Sequence, residues 1–558
     1  MKKTKFIILA IFLALTLVTL ASCSEEATDT ETTTSVTTPI GSEPIGNLPP
    51  LFGGEETTES LTAEEVYTYT TQDIFTSDKD ASKKDLINTF DEEDLITLDL
   101  DADSVIINQE GTYLLSGTYE DLTIEIDVLD SEKVTLVLDD FNVTNSSTPV
   151  IYVKSADKVS IISKENTESS LSVTDSFLET EESADAVIYS KDDLTIKGTG
   201  TLNIDSSNDG VVSKDDLVLS SLSLNVTSSN NGIVGKDSLV VASGTYNVVS
   251  DKDAMKSNGD EENGVLIVND GIFNLTANDD ALSATNLILL EKGTFIIDSQ
   301  DDAINSDGDI VLLDINLEID AVDDAVTAYY DLQVDGASII INTSYEGLEA
   351  KNIQILSGDI KITSTDDGVN ASDSDDALVD TSNDPDGNYH STSEEVIFSM
   401  FGGQLSIDAS SDGIDSNGNI YIDGGVIEIS GAETDMENPM DYNLNAVIVS
   451  GSVVSVGYSG MAQNFTVSES NISLMYNFGV EDKGTILTIK DEDGSTVYTY
   501  TLTKSASSIL ISTDKLTLGN TYTVEVGSNS ETVTIESTIT TIGVSSSNNM
   551  PGPMPGKN

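Results

Sequence analysis

The sequence predicts an all-β protein whose main part is a long parallel β-helix with coils of about 22 residues. An N-terminal cap and a small C-terminal antiparallel β domain complete the predicted architecture. Two observations predict it: a short acidic motif recurs at a nearly constant step, and aliphatic residues alternate with polar ones between its copies. Self-similarity at a fixed period indicates a repeat architecture, because one repeat cannot bury its apolar face alone.

In the recurring motif, an Asp, Asn or Glu precedes a small residue, and an aliphatic residue follows. Its copies are Asp185-Ala186-Val187, Asp209-Gly210-Val211, Asn231-Gly232-Ile233, Asp253-Ala254-Met255, Asp280-Ala281-Leu282, Asp302-Ala303-Ile304, Asp324-Ala325-Val326, Glu346-Gly347-Leu348, Asp367-Gly368-Val369 and Asp412-Gly413-Ile414. The leading positions are 24, 22, 22, 27, 22, 22, 22, 21 and 45 residues apart. One period dominates, and the longer steps indicate insertions.

Each unit contains short segments of alternating aliphatic residues, as in Leu287-x-Leu289, Phe295-x-Ile297 and then Ile304. Such alternation marks strands with one buried face. Three strands within about 22 residues make one coil of a parallel β-helix. Leucine-rich repeats have similar periods, but they need an Asn or Cys ladder and a helical segment that these units lack.

The N-terminus predicts export. Lys2, Lys3 and Lys5 precede an apolar run from Phe6 to Val18, which is typical of a secretory signal peptide over residues 1–22. Leu20-Ala21-Ser22-Cys23 looks like a bacterial lipobox, and Cys23 is the sole cysteine. A diacylglycerol on Cys23 would supply the two acyl chains that stable anchoring requires. We therefore expect a protein anchored by lipid to the outer face of the cell membrane; the alternative is a plain signal peptide with an incidental cysteine.

The remaining boundaries follow from composition and period. Residues 23–60 are rich in Thr, Glu, Ser and Pro, and predict a disordered tether after the lipidated cysteine. We expect the N-terminal cap at 61–110, the β-helix at 111–464, the small β domain at 465–540 and a disordered tail at 541–558. An Asp-rich insertion from about Ser372 to Glu395 should protrude from one coil.

The chain is strongly acidic, with a formal net charge of −74. Removal of the signal peptide makes the charge more negative, since that segment holds lysines and no acid. Such a balance excludes nucleic acid as a partner, because phosphate binding depends on clustered Lys and Arg. Hydrophobic residues make up 38% of the chain and are regularly spaced, so the acids belong to a folded protein.

Stacked coils would place the acidic turns about 4.8 Å apart, the spacing of neighbouring strands. Two carboxylates per coil would then form a ladder of like charges, which repel by about 1 kcal/mol per pair in water and by more near a protein surface. Oxygen ligands on stacked turns favour calcium. The predicted calcium ligands are Asp279, Asp280, Asp301, Asp302, Asp323, Asp324, Asp366 and Asp367. In the alternative interpretation these carboxylates cap turns and face solvent.

Two loops and one row of lysines add further candidates. Asp307 and Asp309 in Asn305-Ser306-Asp307-Gly308-Asp309 are predicted calcium ligands, and Asp384-Pro385-Asp386-Gly387-Asn388 is a weaker loop of the same kind. Lys191, Lys214 and Lys236 occupy matching positions of successive units. They either neutralise the neighbouring acids or form a cationic strip that binds sugar carboxylates.

Candidate catalytic residues are few. His390 is the sole histidine and lies in the Asp-rich insertion, so a Ser-His-Asp or Cys-His arrangement is excluded. Stacked Asp residues about 5 Å apart match the carboxylate separation of retaining glycosidases, but no single pair is distinguished from the others. We assign no catalytic residue.

Several motifs resemble those of a known family: Asp157-Lys158-Val159, Ser190-Lys191-Asp192-Asp193-Leu194, the Asp-Asp-Ala/Gly turns, Asp441-Tyr442 and Ser459-Gly460-Met461-Ala462-Gln463. They resemble, over about residues 75–540, the bacterial carbohydrate-binding β-helix family typified by a clostridial protein that binds cellulose and acidic sugars. The resemblance implies a right-handed parallel β-helix similar to pectate lyases, bound calcium, and polysaccharide binding without an established active site. The chain departs from cellulose binders in having no Trp.

The expected function is therefore calcium-assisted binding of a polysaccharide by a monomeric surface protein. An acidic, pectin-like polymer is one candidate for this polysaccharide. A polysaccharide lyase or glycoside hydrolase acting on pectin-like polymers is the first alternative. A structural adhesin or spacer at the cell surface is the second.

Overall fold

The structure, a computed structural model, describes residues 79–100, 103–178, 184–260, 263–373 and 396–545. Within these ranges the chain is all-β, as predicted, with forty strands and one short 3-10 helix, Glu92–Asp94. Among these residues, no helix is long and apolar enough to span a bilayer. The predicted signal peptide, Cys23, the tether, His390, the 384–388 loop and most of the Asp-rich insertion lie outside the described residues.

The strands are numbered in chain order. The first group is β1 Leu95–Thr97, β2 Ser104–Ile107, β3 Gly111–Glu120, β4 Thr123–Asp127, β5 Lys133–Asn145, β6 Ile151–Ser155, β7 Lys158–Ser163, β8 Glu168–Val173, β9 Ala186–Ser190, β10 Leu194–Gly198, β11 Thr201–Ser206, β12 Asp209–Ser213, β13 Asp216–Ser228, β14 Ile233–Gly235, β15 Ser238–Ser250 and β16 Met255–Ser257. The second group is β17 Val265–Val268, β18 Ile272–Ala277, β19 Leu282–Ala284, β20 Leu287–Ser299, β21 Ile304–Ser306, β22 Asp309–Ala321, β23 Val326–Val334, β24 Ala337–Thr343, β25 Leu348–Ile355, β26 Gly358–Ser364, β27 Val369–Ala371, β28 Ile397–Met400, β29 Gln404–Ala409, β30 Ile414–Ser416, β31 Asn419–Ser430 and β32 Ala446–Gly457. The C-terminal group is β33 Val467–Ser468, β34 Ile472–Glu481, β35 Ile486–Lys490, β36 Thr496–Thr501, β37 Ala506–Thr513, β38 Thr521–Val526, β39 Asn529–Thr534 and β40 Ile539–Gly543.

Most strands belong to three ladders of parallel pairs, one strand of each ladder per repeat. Ladder A runs through β1, the first halves of β3 and β5, β7, β10, the first halves of β13 and β15, β17, the first halves of β20 and β22, the second halves of β23 and β25, β28, the first halves of β31 and β32, and β33. Ladder B runs through the second halves of β3 and β5, β8, β11, the second halves of β13 and β15, β18, the second halves of β20 and β22, β24, β26, β29, and the second halves of β31 and β32. Ladder C runs through β2, β4, β6, β9, β12, β14, β16, β19, β21, the first halves of β23 and β25, β27 and β30.

The register of the ladders follows the sequence repeat. In ladder C, Leu282 pairs with Ile304, which pairs with Val326, and Val326 pairs with Leu348. These are the aliphatic residues that close successive acidic motifs. Because the same motif position recurs at each rung, any side chain at a fixed offset from it is stacked on its counterpart in the next repeat.

The core lies between the three ladders and is filled by their inward-facing residues, which include an aromatic stack. Tyr246, Phe273 and Phe295 are at most 1% exposed and occupy one column of ladder B. Their ring centroids are 5.1 Å and 4.5 Å apart, with interplanar angles of 13° and 4°. Each ring pair contributes about 0.5–1.5 kcal/mol beyond the burial of its apolar area.

The C-terminal strands end the parallel pairing. β37 pairs antiparallel with β32 and with β34, so it closes the last rung of ladder B. The strands β36, β35, β38 and β39 form a separate antiparallel sheet in that order. Tyr500 Oη donates to Glu428 Oε1 at 2.7 Å, and Lys504 Nζ lies 2.7 Å from Asp408 Oδ1, so this sheet is tied to the final repeats.

Residues 79–88, part of the predicted N-terminal cap region, lie along the side of ladder A. Lys79 Nζ is 2.8 Å from Asp216 Oδ1, and Lys158 Nζ is 2.9 Å from Asp85 Oδ1. Thr195 Oγ1 also donates to Asp85, at 2.9 Å. Ala81 packs on an outward-facing apolar cluster of this ladder. This segment therefore covers part of the outer sheet face; the predicted domain boundaries remain predictions.

Candidate functional site

The acidic motifs lie at the turn between ladder B and ladder C in each repeat. Ser299 ends β20, Ile304 begins β21, and Ala303 between them is fully buried. This small residue and the paired aliphatic residue after it fix the position of the acid before them. The stacked acids, here called the acidic ladder, are Asp253, Asp280, Asp302, Asp324, Glu346, Asp367 and Asp412.

Members of the acidic ladder bind the backbone of the next repeat. Asp302 Oδ1 accepts a hydrogen bond from the N–H of Asp324 at 3.0 Å. Asp324 Oδ1 accepts from the N–H of Glu346 at 2.8 Å, and Asp367 Oδ1 from the N–H of Asp412 at 2.8 Å. One oxygen of each carboxylate thus aligns two turns, as the turn-capping interpretation requires. The turn-capping interpretation also has these side chains facing solvent, but Asp302 is buried and Asp324 and Asp367 are partly buried.

Burial and neighbouring carboxylates disfavour the charged form of six ladder acids, Asp280, Asp302, Asp324, Glu346, Asp367 and Asp412. Burial raises the pKa of Asp280 to about 7 and of Asp302 to about 8, and nearby Asp residues add to both shifts. The pKa of Glu346 rises to about 9 and that of Asp412 to about 8 for the same reasons. A cation among these carboxylates would favour their charged form and reverse the shifts.

Four groups of three carboxylates each contain at least one acid of the acidic ladder. Within each group, one oxygen per residue lies within 4.8 Å of the other two. The groups are Asp279-Asp280-Asp301, Asp301-Asp302-Asp323, Asp324-Glu346-Glu349 and Asp412-Asp415-Asp441. The acids of each group come from two successive repeats and offer oxygen ligands alone. This donor set fits a hard cation such as calcium and not a thiolate- or imidazole-preferring metal.

The structure brings six of the predicted calcium ligands into these groups. Asp279, Asp280, Asp301, Asp302 and Asp323 stack as the repeat predicts, and Asp324 joins Glu346 and Glu349. Metal binding by any of them remains a prediction.

The other four predicted ligands lie elsewhere. Asp366 accepts a hydrogen bond from the hydroxyl of Tyr345, which raises the pKa of Tyr345 to about 12. Asp367 belongs to the acidic ladder but to none of the groups of three among the described residues. Asp307 is exposed, at the turn between ladder C and ladder A. Asp309, at the start of β22, accepts a hydrogen bond from the N–H of Asp331 at 3.2 Å, and burial raises its pKa to about 7.

Sequence reasoning missed several members of the groups. Glu349 and Asp415 each follow a ladder acid by three residues, on the outward side of ladder C. An acid at that offset is the signal that would have found them. Asp441 is brought to Asp412 by the segment after β31, where a bridge pairs Ile414 with Met440. No repeat spacing indicates that position.

The three predicted lysines stack as expected. Ser190 pairs with Ser213, and Ser213 with Gly235, so the lysines that follow them occupy successive rungs. The N–H of Lys214 donates to Ser190 O, and that of Lys236 to Ser213 O, both at 2.9 Å. Lys214 Nζ lies 5.5 Å from the ring centroid of Tyr189. The two roles proposed for Lys191, Lys214 and Lys236, neutralising acids or binding sugar carboxylates, stay predictions.

A fifth acidic group lies beside this row, at the turn between ladder C and ladder A. It comprises Asp193, Asp215 and Asp216, and burial raises the pKa of Asp193 to about 6. Lys79 is bound to Asp216 at 2.8 Å. An ammonium group from the N-terminal segment thus offsets part of this charge, as Lys256 does for Asp253 in the acidic ladder.

Comparisons with known proteins point in one direction. A family model described as carbohydrate-binding domain-containing protein matches residues 101–302 and 292–435, together more than half of the chain. A carbohydrate-binding domain-containing protein from Acetivibrio thermocellus is 38% identical over 121 residues, which are 21% of this chain and 42% of the relative. The match thus spans less than half of that relative's length. A solved structure described as a polysaccharide lyase-like protein from C. thermocellum, a gadolinium derivative, is 30% identical, with a TM-score of 0.34, over 37% of this chain and 86% of that one.

Proposed function

Because the chain belongs to the family of carbohydrate-binding domain-containing proteins, we propose that it is a lipid-anchored surface protein that binds polysaccharide with the help of calcium. The observation that carries the calcium part is the acidic ladder. Its carboxylates are stacked, buried or partly buried, and surrounded by like charges. Lys256 pairs with Asp253 and Lys252 with Asp279, but the acids far outnumber these lysines.

We also propose that the three ladders wind as a right-handed parallel β-helix. Support comes from the parallel register of all three ladders and from the return of each ladder after about one sequence period. Connections between parallel strands of one sheet are right-handed in about 98% of cases. If every coil winds with the same hand, the three turns follow in the same order in each coil. The acidic turns then lie along one edge of the helix.

In this proposal calcium lies among the groups of the acidic ladder. Asp279, Asp280 and Asp301 would hold one ion, and Asp302 would share a second with Asp301 and Asp323. Asp324 with Glu346 and Glu349, and Asp412 with Asp415 and Asp441, offer further positions. When bound, the ions neutralise the ladder and can accept oxygens from a ligand in their remaining coordination positions.

Calcium would also resolve an electrostatic conflict with an acidic ligand. A chain with a net charge of −74 repels a polyuronate at long range. Ions held at the edge of the acidic ladder can bridge protein carboxylates and sugar carboxylates. The same ions would therefore support both folding and binding.

The test is retention on insoluble polysaccharides, with calcium and with EDTA, together with thermal melting. We expect retention on polygalacturonate in calcium and its loss in EDTA, accompanied by a lower Tm. If chelation changes neither retention nor melting, calcium has no role. If no polysaccharide retains the protein in either buffer, the binding function is wrong.

A glycoside hydrolase is a second candidate, and one observation favours it. Within a group such as Asp412-Asp415-Asp441, carboxylate oxygens lie within 4.8 Å, and the pKa of Asp412 is raised to about 8 and that of Asp415 to about 7 by burial. A protonated acid beside a charged one is the arrangement of retaining glycosidases. New reducing ends after incubation with pectin would support hydrolysis, and unsaturated products would indicate a lyase.

A further inference from the structure

A shallow groove of about 430 Å³ opens at the turn between ladder A and ladder B, away from the acidic ladder. Gly244, Gly271 and Gly293 form its inner wall on three successive repeats. Their φ angles are +142°, +153° and +134°. A Cβ on Gly271 would lie 2.7 Å from the Phe273 ring, and one on Gly244 would lie 2.7 Å from Tyr246 Oη. The buried aromatic stack thus excludes side chains from this wall and leaves the groove open.

The rim of the groove carries charges of both signs. Lys292 and Asp314 are directly paired in register across neighbouring strands, and Asp270 lies on the preceding repeat. All three are exposed. Among the described residues, Lys292 makes no ion pair within 4.0 Å. One ammonium donor therefore stands between two carboxylate acceptors, all of them open to a ligand.

The outer face of ladder B next to the groove supplies neutral contacts. Ile272 and Ile296 are 52% and 51% exposed. A column of amides runs along this face, in which Asn247 Nδ2 donates to Asn225 Oδ1 at 2.7 Å and Asn274 Nδ2 to Asn247 Oδ1 at 2.8 Å. The column ends at Asn274, because its partner in the next repeat is Ile296. The side-chain oxygen of Asn274 therefore lies beside the exposed isoleucines, and no amide from the next repeat donates to it.

We propose that this groove is a calcium-independent carbohydrate subsite that holds an uncharged pyranose unit of a polysaccharide. The C–H face of the ring packs on Ile272 and Ile296. Ring hydroxyls donate to Asp270 and Asp314 and accept from Lys292, since a hydroxyl can do both. A uronate would instead place a third carboxylate between two others and be repelled. The inference rests on the proposed polysaccharide binding and adds a second site with its own ligand class.

The test uses the full mature chain, retained on an insoluble neutral glucan and on insoluble polygalacturonate, each in calcium and in EDTA. The variants are Lys292→Met and Asp314→Asn, with Thr294→Val as a milder change in the same groove. Lys361→Met is the matched control, since Lys361 is an exposed lysine on the outer face of ladder B three repeats further on. Melting temperatures confirm that each variant is folded.

We expect the wild type and Lys361→Met to bind the neutral glucan equally in both buffers. Lys292→Met and Asp314→Asn should each raise the Kd about tenfold, which corresponds to about 1.4 kcal/mol, because each removes a charged hydrogen-bonding partner. Polygalacturonate retention in calcium should not change. If the groove variants bind the neutral glucan as the wild type does, or lose retention on polygalacturonate alone, the groove is not the proposed subsite. Either result would leave the proposed function intact. A wild type that no polymer retains would refute the proposed function, and the groove with it.

Discussion

At the scale of single residues, Asp302 combines two requirements that conflict without a cation. Its carboxylate aligns the turn of Asp324 through the backbone, while burial and the neighbouring Asp324, Asp280 and Asp301 disfavour its charged form. An asparagine would satisfy the first requirement, since an amide oxygen accepts the same hydrogen bond. The presence of Asp where Asn would serve the fold therefore points to a use for the charge.

The substitution Asp302→Asn separates these roles. We expect calcium affinity to fall about tenfold, because one charged ligand is lost from its group. Stability in EDTA near pH 8 should stay equal or rise, because a charge in a largely buried position is removed. Calorimetric calcium titration and thermal melting measure the two effects.

Asp298→Asn is the matched control, because Asp298 lies exposed on β20 of the same repeat and belongs to none of the groups of three. It should leave both measurements unchanged. Equal calcium affinity in the wild type and in Asp302→Asn would contradict a metal role for the ladder.

The sequence predicts the stacking of Asp279, Asp280, Asp301, Asp302 and Asp323 because their positions repeat along the chain. It does not predict Glu349, Asp415 and Asp441 as members of the groups. Glu349 and Asp415 lie three residues after the motif acid, an offset that the motif itself does not include. The approach of Asp441 depends on the path of the chain after β31, which no repeat spacing indicates. Spacing thus finds residues at the same offset but not residues that meet from different offsets.

At the scale of strands, the aromatic column shows how the repeat stabilises itself. Tyr246, Phe273 and Phe295 stack because three consecutive repeats place an aromatic at one inward position of ladder B. The same column determines where glycine must occur on the groove wall. Packing inside one ladder therefore shapes a surface feature at its edge.

Phe273→Ala removes the middle ring of this stack. We expect the free energy of unfolding to fall by about 3–5 kcal/mol, because a fully buried ring is replaced by a cavity between two others. Denaturant unfolding followed by circular dichroism measures the change.

Val249→Ala is the control, since Val249 lies on β15 with 50% of its surface exposed. It should change stability by less than about 0.5 kcal/mol. A comparable loss of stability in both variants would show that the aromatic stack contributes no more to the free energy of unfolding than an exposed side chain does.

The alternation of aliphatic residues predicted the strands of each repeat. The sequence also predicted a small C-terminal antiparallel β domain, where the structure pairs β35 with β38. It did not predict that residues 79–88 lie along ladder A. That position depends on ion pairs such as Lys79 with Asp216, between residues far apart in sequence. Local patterns do not carry such long-range information.

At the scale of the whole molecule, the acidic ladder links stability to pH in an unusual direction. The pKa of Asp302 is raised from its ordinary value of 3.8 to about 8, and that of Asp280 to about 7. Protons are therefore bound more tightly in the folded chain than in the unfolded one. The stability that these acids contribute is complete below about pH 4 and is lost as pH rises toward 8.

In EDTA, the Tm should therefore fall between pH 5 and pH 8, by roughly 5 °C or more, because each unit of pKa shift corresponds to about 1.4 kcal/mol. Added calcium should restore the Tm at pH 8 and change it little at pH 5, since the ion competes with protons for the same oxygens. Differential scanning calorimetry across this range is the measurement. A Tm that rises with pH in EDTA would contradict the linkage.

The proposed attachment of the protein to a membrane rests on one residue, Cys23. In cells, Cys23→Ser should move the protein from the membrane fraction to the soluble exported fraction, because the acyl chains supply the anchoring energy. Detergent-phase partitioning measures this change. A variant that remains in the membrane fraction would exclude the lipid as the anchor.

The antiparallel strand β37 has a consequence for association between molecules. A stack of parallel strands can template the addition of another chain at either end, which is how fibrous polymers grow. Here the last rung of ladder B meets a strand running the opposite way, and that strand is itself paired with β34 on its far side. A second molecule therefore cannot pair directly with the last rung of ladder B, so head-to-tail addition of parallel repeats at that rung is blocked.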